Sequence, residues 1–208
     1  ERRPRTLNMS TIGDVLLHPG DASFGPKVEA VVVYNSNPVA VAPESAKVAA
    51  GFAREDLFTV VLEHFLTDTA DHADYVLPAT TQLEHWDIHG SYGHTDVLLN
   101  RPAIAPAGQA RSNARIFRDL AAQMAKLDPL FAASHFHDSD EALARQAVAH
   151  TAISFEELLE RGFATIPLPE APFASGGFAT PSGKCEFDNP ALAALGVSTL
   201  PDHLPNYE

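Results

Sequence analysis

Val28-Glu29-Ala30-Val31-Val32-Val33-Tyr34-Asn35-Ser36-Asn37-Pro38 decides how the rest of the chain is read. The run up to Tyr34 is short, apolar and β-branched, the composition of a strand buried on both faces of a parallel sheet. The residues after it are turn formers that break the strand sharply. A helix is predicted from about Pro43, a good first helical residue, through Ala46, Val48, Ala49, Ala50 and Phe52. Leu57–Leu62 repeats the buried-strand pattern, with Glu63 and His64 at its carboxyl end. Thr67-Asp68-Thr69-Ala70 starts a short helix with Thr67 as N-cap. Tyr75-Val76-Leu77 makes a third strand, stopped by Pro78. Strands alternating with helices through short connections predict an α/β fold, three layers deep, with a mainly parallel sheet.

Outward from this core the pattern loosens. Thr11–Leu17 reads as one or two helical turns inside a leading segment, residues 1–27. Residues 83–95 mix polar, aromatic and glycine residues with no clean period, which reads as a long functional loop. Asp96–Ile104 is expected to be extended. Ser112 caps a helix carrying Ile116, Phe117, Leu120, Ala121 and Met124 at helical spacing. A second helix is predicted near 139–149, and a third opens on a Ser154…Glu157 capping box and stops at Gly162. These elements place the main domain at 28–162. From 163 to 208 the chain reads as a linker and exit segment, helical and extended in parts. Lys184–Phe187 is expected as a last strand and Asn189–Leu195 as a short helix.

Composition removes several functions. The chain has 208 residues, and its charge sums to −13 from 14 Lys and Arg against 27 Asp and Glu. That balance opposes nonspecific binding to nucleic acid or to an anionic membrane. No apolar run reaches the roughly 20 residues of a spanning helix, so direct membrane insertion is not expected. The first residues show no signal-peptide pattern, and the compartment stays open. A single cysteine, Cys185, allows no internal disulfide and no Cys-ligated cluster within this chain. No GxGxxG, P-loop or nucleophile-elbow string occurs. Glu84, His85, His89 and His94 invite a metal reading, but their order is not HExxH and the local glycines oppose a stable helix.

Ligands of parallel α/β sheets bind beyond the carboxyl ends of the strands. Those ends carry Asn35-Ser36-Asn37, Glu63-His64 and Pro78-Ala79. Asn and Ser donors suit phosphate or ribose, and a carboxylate suits guanine N–H groups or ribose hydroxyls. Ordinary turn chemistry explains the same residues, and composition alone leaves both readings open.

The ordered strings narrow the choice. Val33-Tyr34-Asn35-Ser36-Asn37-Pro38 resembles the turn after a strand in the second Rossmann-like domain of molybdopterin oxidoreductases of the DMSO reductase family. Thr67-Asp68-Thr69-Ala70 through Ala73-Asp74-Tyr75-Val76-Leu77-Pro78-Ala79 is similar to that family's T-x-T-A-x-x-A-D-[ILV]-V-L-P-A string. Glu84 with the Gly90–Asn100 loop, Pro106–Asn113, and Thr180-Pro181-Ser182-Gly183-Lys184-Cys185-Glu186 resemble its later segments in the same order.

The resemblance implies a Rossmann-like domain holding one molybdopterin guanine dinucleotide of a molybdenum or tungsten cofactor. It implies cofactor contacts at Asn35, Ser36, Asn37, Glu63, His85 and Asn113. Glu63 stands where the family usually has Asp, and His85 where it often has Lys. Catalytic and metal-ligating residues, and any iron–sulfur cluster, are expected in regions outside this chain. The chain is then an isolated domain, a truncated product or one part of a split enzyme, inactive by itself. Its partners would be the other domains or subunits, with an iron–sulfur electron-transfer subunit among them. A cofactor-less structural or interaction module is the competing expectation. An unrelated nucleotide or sugar-phosphate binder on a generic doubly wound sheet is a third.

Overall fold

The structure, a computed structural model, describes residues 4–200 and 202–203. Residues 1–3 of the leading segment, and most of the tail after Leu200, lie outside the described residues. The chain divides into two compact units, Glu1–Ile166 and Pro167–Glu208.

The first unit contains a parallel sheet of β1 (Ala30–Tyr34), β2 (Phe58–Glu63) and β3 (Tyr75–Pro78), in that order. The register pairs Tyr34 with Leu62, and Glu63 with Pro78. Asp74 extends the ladder below β3: its carboxylate accepts the Thr59 amide at 2.7 Å, and its own amide donates to the Thr59 carbonyl. This is an α/β, Rossmann-like arrangement.

One face of the sheet is sealed by α1 (Ile12–Leu17) and α3 (Ser45–Phe52). Leu16, Val48 and Phe52 pack there with Val33 and Val61, all buried. The two helices approach so closely because glycines stand at the crossing. A Cβ on Gly13 would lie 2.8 Å from Lys47 Cβ, and one on Gly51 would lie 2.7 Å from Leu16 Cβ. The segment before residue 28 is thus part of the core, not merely a lead-in. The helix predicted from about Pro43 is α3, and a further short helix precedes it. Pro38 opens α2 (Pro38–Val41), and Glu44, at φ 56°, turns the chain before α3.

The other face departs from the sequence expectation. Val32 is 50% exposed, Phe58 49% and Tyr75 61%. The long helix α4 (Asn113–Leu127) lies over this face and touches it at its start, where Tyr34 and Phe117 meet edge to face at 5.7 Å. Between them runs an apolar groove of about 640 Å³ walled by Val60, Leu77, Ile116 and Leu120. An unbroken Val-Val-Val run has the residues for double burial, but among the described residues only one side of it is sealed.

A second, antiparallel sheet joins β4 (Asp87–His89), β5 (Asp96–Asn100) and β6 (Phe163–Thr165), in that order. It packs on α5 (Asp140–Val148) and α6 (Phe155–Arg161) through Leu99, Val148, Phe155, Leu158 and Ala164. The predicted caps Ser112 and Ser154 each accept an amide of the first turn of α4 and α6, and Gly162 sits at φ 81° after α6; Ser139, not singled out in sequence, caps α5 in the same way. Phe163–Thr165, read from composition as the start of a linker, is instead strand β6 and pairs with Asp96–Leu98.

Among its described residues the second unit holds one short helix, α7 (Pro190–Ala193), capped by Asn189. Lys184–Phe187 forms no strand. Thr180 Oγ1 donates to the Lys184 carbonyl, and the Ser182 amide donates to the Glu186 carboxylate, so this stretch closes on itself as a turn. Among the described residues no helix is long and apolar enough to cross a membrane.

The α1–α3 crossing gives a test that separates packing from propensity. Alanine is the better helix former by about 1 kcal/mol, yet Gly51→Ala is expected to destabilise by about 1–3 kcal/mol through overpacking against Leu16. Urea unfolding measures it, and a gain in stability would contradict the close crossing.

Candidate functional site

The parallel register lines up the strand ends at one edge: Asn35 after β1, Glu63 at the end of β2, and Ala79-Thr80 after β3. The edge continues one step further. Ala79 bridges in parallel to Arg111, whose amide donates to the Pro78 carbonyl while the Thr80 amide donates to the Arg111 carbonyl. This delivers Ser112 and Asn113, the start of α4, to the same edge.

A groove of about 800 Å³ opens there, with Asn35, Glu63, Thr80, His85, Asn113 and Asp140 in its wall. Asn35 holds a left-handed backbone, φ 53°, a conformation Asn tolerates better than most residues. Its side-chain oxygen accepts a hydrogen bond from Asn113 Nδ2 at 2.8 Å, across 78 positions of sequence. Among the described residues, Asn113 Oδ1 is buried without a partner. Glu63 uses Oε1 to accept the amide of His64 at 2.7 Å, and its side chain is 15% exposed.

Asn35, Glu63, His85 and Asn113, four of the six expected cofactor contacts, therefore share one groove. Ser36 and Asn37 are not part of its wall. Asn37 is occupied by structure. Its Oδ1 accepts both the amide and the hydroxyl of buried Thr69, at 3.1 and 2.7 Å, and its Nδ2 donates to Asp68. Thr69 Oγ1 in turn accepts the Val39 amide. This network ties the turn after β1 to the turn after β2.

Glu84, read in sequence as a family position or metal ligand, is a buried structural carboxylate. Oε2 accepts the amide and hydroxyl of Thr81, and Oε1 accepts the Ala107 amide. The Thr81 amide, followed by the Ala107 amide and the Thr81 hydroxyl, holds the Glu84 carboxyl below its ordinary value of 4.5. The capping box Thr81…Glu84 shapes the 3-10 turn Gln82–Glu84 that presents His85. His85 Nδ1 lies 2.9 Å from Thr80 Oγ1. Among the described residues no group of three or more His, Cys, Asp or Glu is arranged to hold a metal ion.

Sequence reasoning missed Asp140 and Thr80. Asp140 comes from α5 and is fixed by Arg118 at 2.6 Å and by the Ser112 hydroxyl. Its only signal was an acidic residue in a helix first turn, which every capped helix offers.

With the geometry in hand, comparison with known proteins decides the family. The molybdopterin oxidoreductase family model matches residues 12–123. The chain belongs to that family. Over 98% of its length it is 39% identical to the probable oxidoreductase YoaE of Bacillus subtilis, of which it spans 29%. It is 29% identical to the dimethyl sulfoxide/trimethylamine N-oxide reductase of Cereibacter sphaeroides over 95% of the chain and 27% of that protein. In structure it is similar to acetylene hydratase from Pelobacter acetylenicus, with a TM-score of 0.74 and 25% identity over 95% of this chain and 26% of that one. The chain therefore spans less than a third of the relatives it matches. The family carries a molybdenum–molybdopterin cofactor. The groove suits such a polar, hydrogen-bonding group: it offers a buried acceptor without a partner at Asn113 Oδ1, beside the carboxylates of Glu63 and Asp140.

The depressed carboxyl of Glu84 gives a pH test. Its stabilisation is fully present above its unfolded value near 4.5 and is lost as pH falls through the lower folded value. Glu84→Gln is expected to lower Tm at neutral pH, with the gap to the unmodified chain narrowing as pH falls below 4.5. Thermal melts across this range measure it, and a gap independent of pH would contradict the ionised network.

Proposed function

We propose that this chain forms one wall of a binding site for the guanine dinucleotide half of a molybdopterin cofactor, within a molybdenum-dependent oxidoreductase. The observation that supports the reading most is the strand-end groove itself, where Asn35, Glu63 and Asn113 converge from distant parts of the sequence and Asn113 keeps a buried acceptor unpaired.

A guanine presents N–H donors along one edge, and ribose presents hydroxyl donors. Glu63 and Asn113 Oδ1 are acceptors that match those donors. The left-handed turn at Asn35 offers its side-chain amide and neighbouring backbone amides to a phosphate. His85, steadied by Thr80, brings a ring nitrogen to the same wall. Asn37 acts behind the wall, locking the turn that carries Asn35. The bound cofactor supplies the electron- or oxygen-atom-transfer chemistry, while the protein binds and orients it. The metal ligand and substrate funnel would belong to other domains or subunits of the enzyme, and an iron–sulfur subunit to its electron-transfer path.

Titration calorimetry with GMP on the 208-residue chain tests this reading. Glu63→Ala removes a hydrogen bond to a charged group, which costs about 1.5–3 kcal/mol, or roughly ten- to a hundredfold in affinity. Asn113→Ala is expected to cost about 1 kcal/mol, roughly fivefold. Unchanged affinity in both variants would leave the scaffold reading in its place.

A further inference from the structure

The turn that carries His85 is held almost entirely by one other stretch of chain, residues 100–107. The Leu83 carbonyl accepts the amides of Ala103 and Ile104 at 2.8 and 3.1 Å. The Glu84 carboxylate accepts the Ala107 amide. The two carbonyls that bracket these, those of Gln82 and His85, both accept from one side-chain nitrogen, Asn100 Nδ2, at 2.5 and 2.7 Å. A primary amide carries two N–H bonds, and Asn100 directs one to each.

We propose that Asn100 is a positioning residue for the groove, acting through His85. The proposal rests on the reading of the groove as a guanine dinucleotide site. Asn100 is not in the groove wall, whereas Gln82 and His85 are. Its support is rigid: it ends β5, the central strand of the antiparallel sheet, opposite Asp87 and next to Leu99, whose amide donates to the Gly162 carbonyl. The antiparallel sheet thereby sets the position of a turn that ends at the groove.

The consequence falls on the imidazole. The contact of His85 Nδ1 with Thr80 Oγ1, at 2.9 Å, orients the ring only while the two backbones keep their spacing. Thr80 is anchored to the parallel sheet edge through Arg111, and His85 is anchored to the antiparallel sheet through Asn100. Asn100 therefore sets the backbone position from which the His85 ring meets Thr80 and the groove. Nothing in local sequence marks this role, because Asn100 and His85 are 15 residues apart.

The test combines ring-nitrogen NMR of His85 with GMP binding to the 208-residue chain, in a cycle of Asn100→Ala, His85→Ala and the double variant. Asn100→Ala is expected to shift the His85 ring-nitrogen resonances as the ring loses its fixed contact with Thr80, and to weaken GMP binding roughly three- to tenfold. In the His85→Ala background the same change is expected to cost less than about twofold. If Asn100→Ala does not fold, Asn100→Gln, which keeps the amide and shifts it by one methylene, carries the comparison with smaller changes of the same sign. Unchanged His85 ring resonances, or an equal loss of affinity in both backgrounds, overturn the proposal. If the unmodified chain binds no GMP, the dinucleotide reading fails. The NMR arm then decides the Asn100–His85 link separately, unchanged ring resonances overturning it and shifted ones supporting it.

Discussion

Parallel pairing of β1 with β2, Tyr34 opposite Leu62, is the constraint on which the rest depends. It brings Asn35 and Glu63 to the same edge, and the pairing of Glu63 with Pro78 adds Thr80 to that edge. A slip of one residue would turn every core side chain of β1 to the wrong face. Val33 would leave the contact with Leu16, Val48 and Phe52 that holds α1 and α3 in place. The same register that builds the core therefore builds the groove, and the two cannot be altered independently.

Two polar networks then convert a generic strand edge into a shaped site. Asn37, Thr69 and Asp68 bind the turns after β1 and β2 to each other. Glu84, Thr81 and Ala107 do the same for the turn before His85. Glu84 accepts two backbone amides and Asn37 accepts an amide and a hydroxyl, an economical way to order loops that have no ladder of their own. This separates Asn113, with an unpaired buried oxygen, from Asn37, whose side-chain oxygen takes two hydrogen bonds.

Much of this was legible in sequence where the signal is local. Strands of the first sheet announced themselves by short β-branched runs, and α4 and α6 by serine caps that the structure contains. The antiparallel sheet was not legible as a sheet. β4 and β6 are three residues each, too short for any period, and their pairing through β5 spans distant parts of the chain. The exposure of Val32 and Phe58 was equally hidden, since a valine run records what a strand can bury but not what lies above it. At the groove, Asn35 and Glu63 were found by their place after a strand. Asp140 and Asn100 were not, because their roles arise only from contacts made across the fold.

The central claim is that recognition of a guanine nucleotide takes place at the carboxyl edge of the parallel sheet. Mapping backbone and side-chain NMR shifts of the 208-residue chain as GMP is added addresses it most directly. The account predicts that the largest changes fall together on Asn35, Glu63, Thr80, His85 and Asn113, with Asn37 and the core around Val48 and Phe52 little altered. Changes centred on the apolar groove at Val32, Phe58 and Tyr75, or saturating additions of GMP that move no resonance, would contradict it.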